Sequence, residues 1–231
     1  MIVLCGGLAT RLRPITEKIP KSLVDVNGRP FIEFVLERLS RRGIRNVVLS
    51  VGYLGEMLEQ AVGSGERFGL SVRYSYDGPT LLGTAGAIKG AAHLLTSPFF
   101  VQYGDSFLDV DYTAVDAAYQ RSGKLGLMTV LRNEGKWDRS NVVFRDGRLV
   151  SYDKRDPGPG ANYIDYGLSL LDKSVLERVP EGESCDLSVI LGELSAENEL
   201  EGFEVFNRFY EIGTITGLTE TREYLKLQKE N

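Results

Sequence analysis

The sequence predicts an α/β protein with a Rossmann-like, doubly wound, mostly parallel sheet. Three observations predict it. Segments of strand length stand at Ile2–Cys5, Ile44–Val51 and Ser71–Tyr76. Segments of helical spacing separate them: Phe31, Ile32, Phe34, Val35, Leu36 and Leu39 behind Pro30, then Glu56–Val62. Strands alternating with helices in this way pair in parallel through helical crossovers. Finally, the first run discharges into Gly6-Gly7, and in doubly wound sheets the loops at the carboxyl ends of strands hold ligands.

The loop behind the first strand carries the strongest chemistry. Gly6 and Gly7 permit a sharp turn and let an anion approach backbone N–H groups. Thr10 adds a hydroxyl, and Arg11, Arg13, Lys18 and Lys21 add four cations. Such a loop suits polyphosphate, although a tight turn with a solvated basic face would share its composition. Its spacing is neither G-x-x-x-x-G-K-[ST] nor G-x-G-x-x-G, so the kinase and dehydrogenase readings fail at their defining residues. The stretch Ile44–Gly52 also lacks the strand-end acid that a dehydrogenase places on a ribose hydroxyl.

The remaining elements follow in order. Leu23–Val26 leads into an Asn27-Gly28 turn, and the first helix closes at Arg41-Arg42-Gly43. Leu82–Lys89 opens a small-residue helical stretch that ends near Leu95. Gly83 and Gly86 flank Thr84 there, which fits either close approach of a flat ligand or tight packing on the sheet. Pro98–Tyr103 reads as a strand ending in Gly104-Asp105. A carboxylate at that edge can hold Mg²⁺ against phosphate oxygens, or simply cap a turn. Asp111 suits the N-cap of a helix from about Thr113. Leu125–Leu131 is a further strand, and Asn141–Tyr152 a hairpin around Asp146-Gly147. The hairpin interrupts the alternation, so a mixed sheet with a sub-region over the substrate is expected. Asp153-Lys154 and the Pro157–Gly160 loop follow, then a strand over Tyr163–Leu171. Helical patterns close the chain at Ser174–Val179, Leu187–Leu194 and Thr219–Lys229. His93, the only histidine, lies in an apolar helical stretch and reads as packing.

Composition narrows the function classes. The 231 residues suffice for one large α/β domain. A net charge of −5 argues against a nucleic-acid polymer surface while allowing a local basic pocket. Cys5 and Cys185 form neither a disulfide framework nor a metal-ligand pattern, and Cys5 reads as a small apolar strand residue. No apolar run approaches the ~18 residues of a membrane span. The first strand starts at residue 2, which leaves no expected signal peptide and points to a reduced, cytoplasmic setting. Oligomeric state is not legible.

The stretch Gly6-Gly7-Leu8-Ala9-Thr10-Arg11-Leu12-Arg13-Pro14-Ile15-Thr16, with Pro20-Lys21 behind it, resembles the opening motif of the sugar nucleotidyltransferases, or nucleoside-diphosphate-sugar pyrophosphorylases. That motif runs approximately G-G-x-G-T-R-L-x-P-x-T, then P-K, and Ala9 replaces its third glycine. The resemblance covers nearly the whole chain. It implies the nucleotide-diphospho-sugar transferase fold in a single catalytic domain, 1–231. The hexapeptide repeats of a C-terminal β-helix are absent. It further implies Arg11 and Lys21 as catalytic residues, with Leu4, Gly6, Gly7, Thr10, Asp77, Gly83 and Thr84 around the nucleotide. Gly104-Asp105 matches the family's metal-binding aspartate. Arg208-Phe-Tyr-Glu-Ile-Gly-Thr214 matches W-x-D-x-G-T, with Glu211 in place of the second metal aspartate. Asp153-Lys154 stands where the family has Glu-Lys on the sugar and its phosphate, with a surface ion pair as the alternative. Asp165 and Gly167 match an N-A-G strand lining the sugar.

The implied reaction joins a sugar 1-phosphate to a nucleoside triphosphate, with Mg²⁺, and releases pyrophosphate. Ser50–Tyr53 and Leu82–Ala87 look most like the short heptose 1-phosphate guanylyltransferases. N-acetylmuramate 1-phosphate uridylyltransferases and glucose 1-phosphate thymidylyltransferases are the runners-up. A non-catalytic nucleotide-sugar sensor is the rival from another class, and Ala9 and Glu211 are the departures that would suit it.

Overall fold

The computed structural model describes residues 1–7, 10–78 and 80–228. Leu8 and Ala9, and with them the expectation attached to Ala9, lie outside the described residues, as does Lys229. In chain order the elements are β1 (Ile2–Leu4), β2 (Asp25–Val26), β3 (Arg29–Pro30), α1 (Phe31–Arg41), β4 (Asn46–Val51), α2 (Gly55–Val62) and β5 (Ser71–Tyr76). Then come α3 (Gly83–Gly90), β6 (Phe99–Tyr103), β7 (Ser106–Phe107), α4 (Tyr112–Ser122), β8 (Gly126–Arg132), β9 (Val142–Arg145), β10 (Arg148–Tyr152) and β11 (Tyr163–Leu171). The chain ends with α5 (Leu187–Ala196), β12 (Leu200–Val205), β13 (Tyr210–Glu211) and α6 (Ile215–Leu227).

These elements form two compact units. The first comprises Met1–Leu81, Tyr103–Leu108 and the chain from Phe209 on. Its centre is parallel: β4 pairs with β1 (Ile2 opposite Val48, Leu4 opposite Ser50) and with β5 (Asn46 opposite Ser71, Val51 opposite Tyr76). The carboxyl ends of three strands therefore lie side by side. Helix α1 buries Phe31, Ile32, Phe34, Val35, Leu36 and Leu39, the face its spacing predicted. The Asn27-Gly28 turn joins β2 to β3 with positive φ at both residues (53° and 84°), as a two-residue hairpin of this hand requires. Arg222 of α6 donates to the Asp25 carbonyl at 2.7 Å and accepts from the Asn27 amide at 2.8 Å, tying the last helix to that hairpin.

The second unit comprises Leu82–Gln102 and Asp109–Arg208. Its long strand β11 pairs antiparallel with β6 and with β8, and β8 pairs in parallel with β12. The β9–β10 hairpin turns at Asp146 and Gly147, again with positive φ at both (50° and 74°). Asp111 caps α4 by accepting from the Thr113 and Ala114 amides, as its position predicted. The α/β class and the mixed sheet are those expected, with the parallel ladder in the first unit and most of the antiparallel pairing in the second.

Several boundaries differ from the sequence reading. The second strand begins at Asn46 rather than Ile44, and β1 ends at Leu4. Cys5 follows the strand, its N–H donating to the Ser50 carbonyl at 2.8 Å. Ser174–Val179 is a 3₁₀ segment over Lys173–Arg178, capped by Asp172, and α6 starts at Ile215, before Thr219. His93 is exposed in a single 3₁₀ turn with a ring nitrogen 3.2 Å from the Gly90 carbonyl, so it does not pack in the core. Strand β12 was not anticipated, and it carries an internal glycine, which weakens a strand. Gly202 has a packing reason: a Cβ there would stand 2.7 Å from the Phe144 ring and 2.9 Å from Leu149 Cβ.

Candidate active site

In the first unit the chemistry gathers where β1, β4 and β5 end. Asp77 follows β5, its N–H donating to the Val51 carbonyl at 2.9 Å. Its Oδ1 accepts from the Ser50 hydroxyl at 3.2 Å. Its Oδ2 fills the space that a Cβ on Gly6 would need, and lies 3.0 Å from where a Cβ on Gly52 would stand. Gly6 is therefore required by the carboxylate beside it as much as by any ligand. Burial raises the Asp77 carboxyl above its ordinary range, and the Ser50 hydrogen bond partly offsets this. The Tyr53 hydroxyl, after β4, donates to the Glu17 carbonyl at 3.2 Å and pins the basic loop from outside. Leu12, fully buried, anchors the same loop from inside. Thr10, Arg11, Arg13 and Lys18 are exposed, and no ion pair to these cations is formed among the described residues.

Lys21 behaves differently. It opens a 3₁₀ turn, Lys21–Leu23, and Pro20 holds extended backbone before it. Its Nζ lies 2.6 Å from Asp105 Oδ2. The lysine side chain is 17% exposed and the aspartate 29%, so water screens the pair only in part. Asp105 Oδ1 accepts from the Ser106 hydroxyl at 3.2 Å. Behind them, Gly104 N–H donates to the Leu4 carbonyl at 2.9 Å, and a Cβ on Gly104 would meet Cys5 Sγ at 2.6 Å and that carbonyl at 2.7 Å. The glycine before Asp105 is thus what lets its strand end close against Leu4. Burial pushes the Cys5 thiol up to about 12, opposed by a hydrogen bond with Ser22, so Cys5 is an inert packing group.

Strands β7 and β13 place Glu211 opposite Ser106, and Ile212 N–H donates to the Asp105 carbonyl at 2.9 Å. The Glu211 carboxylate turns back on its own chain. Oε2 accepts from Gly213 N–H, and Oε1 accepts from the Thr214 hydroxyl at 3.2 Å. The Thr214 Oγ1 in turn accepts from Gly217 N–H at 3.0 Å and caps α6. A Cβ on Gly213 would collide with Glu211 Oε2 and lie 3.3 Å from Lys21 Nζ, so glutamate and lysine share the space above that glycine. The additional methylene of Glu211 is accommodated by this fold-back. Among the described residues no group of three or more His, Cys, Asp and Glu gathers into a metal cage. Two hard carboxylates, Asp105 and Glu211, nevertheless fit Mg²⁺, which takes one or two carboxylates and completes its shell with water and phosphate.

In the second unit, Gly83 begins α3 with φ +72°, and a Cβ there would strike the Cys185 carbonyl. Ala85 N–H donates to that carbonyl at 2.9 Å, and Thr84 Oγ1 accepts from Leu187 N–H at 2.7 Å. Gly83 and Thr84 thus hold the 185–187 turn. Asp165 and Gly167 lie at a bulge in β11, where the Gly167 N–H donates to Asp165 Oδ1 at 2.8 Å and φ of Gly167 is +96°. Burial pushes the Asp165 carboxyl up to about 6, against the Gly167 hydrogen bond and the Lys154 charge. Asp186 caps α5. Burial pushes it up, but the Ser188 hydrogen bonds, Lys154 and Thr84 together bring it below its ordinary range. The exposed Lys154 therefore acts electrostatically on two carboxylates. Asp153 does not pair with it: Asp153 Oδ1 accepts from the amides of Arg155 (2.7 Å) and Asp156 (2.9 Å), and those bonds lower its pKa. A groove of about 640 Å³ opens here, with Asp153 and Lys154 on one wall and Ser188, Gly192 and Ser195 of α5 on the other.

Residues 1–141 match the model of the nucleotidyl transferase family. The chain belongs to that family. It is 31% identical to the D-glycero-α-D-manno-heptose 1-phosphate guanylyltransferase of Campylobacter jejuni over 176 residues, 75% of this chain and 76% of that one. It is 30% identical to mannose-1-phosphate guanyltransferase beta-B of Xenopus laevis over 92% of its own length, and spans only 60% of that relative. The crystal structure of HddC from Yersinia pseudotuberculosis superposes with a TM-score of 0.80 at 23% identity, covering 97% of this chain and 98% of that one. At that identity the likeness shows a shared fold.

The part of the chain that matches the family carries the basic loop, Asp77, Thr84 and Asp105. The structure joins Lys21 to Asp105, Asp77 to Gly6, and Asp165 to Gly167, each pair consisting of residues singled out in the sequence. It separates Asp153 from Lys154. The sequence reading gave no role of their own to Ser50, Ser106, Thr214 and Asp186. Asp186 carried a local signal, an acid directly before a helical run, but its relation to Lys154 crosses 32 residues and leaves no local trace.

Proposed function

We propose that this chain is a sugar-1-phosphate nucleotidyltransferase, acting as a single catalytic domain over residues 1–231. The observation that carries the reading is the half-buried Lys21–Asp105 pair beside Glu211, in the unit that holds the Gly6-Gly7 loop. An oxygen of the sugar phosphate attacks the α-phosphorus of the nucleoside triphosphate. A new Pα–O bond forms, the Pα–O bond to the β-phosphate breaks, and pyrophosphate leaves with the electron pair. No enzyme nucleophile is needed. Two anions must meet, so the protein's work is charge neutralisation and alignment.

The Gly6 and Gly7 amides and Arg11 hold the departing β- and γ-phosphates, with the Thr10 hydroxyl beside them. Lys21 stabilises charge at the α-phosphate. Leu4, Asp77, Gly83 and Thr84 are assigned to the nucleotide, and Lys154, with Asp153, Asp165 and Gly167, to the sugar phosphate. Asp105 and Glu211 would hold Mg²⁺, which when bound neutralises phosphate charge as a Lewis acid.

Heptose 1-phosphate with GTP is the favoured substrate pair, supported by 31% identity to a heptose 1-phosphate guanylyltransferase over three quarters of both chains. A cytoplasmic setting accords with two free cysteines. The test is pyrophosphate release with Mg²⁺, crossing GTP, UTP, CTP, dTTP and ATP with a panel of sugar 1-phosphates. Turnover with GTP and heptose 1-phosphate is expected. Turnover only with UTP and N-acetylmuramate 1-phosphate, or dTTP and glucose 1-phosphate, would replace the substrate and keep the reaction. Tight nucleotide binding without turnover on any pair would favour a sensor.

A further inference from the structure

Lys21 and Asp105 hold each other at 2.6 Å through a single carboxylate oxygen, Oδ2. The other oxygen, Oδ1, faces the Ser106 hydroxyl at 3.2 Å. Asp105 is fixed by its surroundings: its carbonyl accepts from Ile212 N–H, and Gly104 before it bonds to Leu4. Lys21 is less constrained. Its ammonium sits at the end of a flexible four-carbon stem, 3.3 Å from the point where a side chain on Gly213 would begin, and Gly213 has none. The reading of the site therefore makes two demands on one ammonium: it neutralises Asp105 in the protein alone, and it serves a phosphate during turnover. It also makes two demands on one carboxylate oxygen, since a divalent cation and an ammonium on the same oxygen repel each other at close range.

We propose that Lys21 is an exchangeable counter-ion: it occupies Asp105 in the unliganded protein, yields that carboxylate to an arriving divalent cation, and is thereby released toward the phosphate. This rests on the reading of Asp105 as the metal carboxylate. The pairing gives a partly exposed carboxylate a counter-charge before substrate arrives. It also makes the lysine available to phosphate only in a site that has taken up its cation.

The test is Mn²⁺ binding to the full chain without nucleotide, followed by electron paramagnetic resonance. Lys21→Met removes the competitor, so Mn²⁺ should bind at least about five-fold tighter than to the unaltered chain. Lys18→Met removes an equal charge from the same loop but not from Asp105, and should change affinity less than two-fold. Unchanged or weaker binding in Lys21→Met, or equal tightening in both variants, overturns the exchange. Asp105→Asn should lose Mn²⁺ binding. If it binds like the unaltered chain, the metal assignment itself falls, a result distinct from failure of the exchange alone. Should Lys21→Met fail to fold, the unaltered chain still decides. Acylation of Lys21 by an amine-reactive reagent, read by mass spectrometry, should rise when Mg²⁺ is added, and an unchanged rate overturns the proposal.

Discussion

Lys21 lies on two sides of an energetic balance. Its ion pair with Asp105 is partly screened, and partly screened pairs contribute little to stability, so the residue's importance is expected in turnover rather than in folding. Lys21→Ala should melt within a few degrees of the unaltered chain while pyrophosphate release falls a hundred-fold or more, the scale of a lost transition-state cation. A melting curve and a turnover assay on the same preparation separate the two effects. Asp165 makes the opposite case. Its folded carboxyl is raised to about 6, above the ordinary 3.8, so between these values the folded state binds more protons than the unfolded one. Stability contributed by the protonated form is present at low pH and is lost as pH rises through about 6. Asp165→Asn, which can still accept from Gly167 N–H, should add about 1–2 kcal/mol at pH 8 and little at pH 4. Urea midpoints at the two pH values would show the difference, and an equal shift at both would contradict it.

At the scale of elements, helix α6 depends on one hydroxyl. Thr214 caps it by accepting from Gly217 N–H and also donates to the Glu211 carboxylate. Thr214→Val keeps the shape and loses both bonds, so a cost of about 1 kcal/mol is expected, with Thr214→Ser close to the unaltered chain. Chemical denaturation of the two variants measures it. Equal stability of Val and Ser at 214 would mean that the cap carries no weight. Strand β11 shows how an element can be shaped around a side chain. The bulge between Asp165 and Ser169 lets Gly167 take a positive φ and turn its N–H onto the Asp165 carboxylate.

At the scale of the whole molecule, this chain spans about 60% of the mannose-1-phosphate guanyltransferases it resembles, and no helix among the described residues is long and apolar enough to cross a membrane. Under the proposed reading, residues 1–231 alone suffice for pyrophosphate release. EDTA should abolish that release and added Mg²⁺ restore it, as measured by coupled phosphate detection. Activity that survives thorough chelation would remove the metal from the reaction.

Much of this was legible in the sequence because its causes are local. Residue pattern set α1, β4 and β5 to within a residue or two, since periodicity records which face is buried. Positive-φ pairs at Asn27-Gly28 and Asp146-Gly147 were readable because few residues tolerate that backbone. Asp105 and the Gly6–Lys21 loop stood out by residue type and spacing. What only the tertiary structure decided concerns partners far apart in the chain. Lys21 meets Asp105 across 84 residues, Asp77 fits because Gly6 has no side chain, and Gly202 belongs in a strand because Phe144 packs against it. The length of Glu211 is resolved by a fold-back onto Gly213 and Thr214 that no spacing rule contains. Local sequence dictates which conformations a segment can adopt, whereas distant packing dictates which of its polar groups must find partners and where those partners stand.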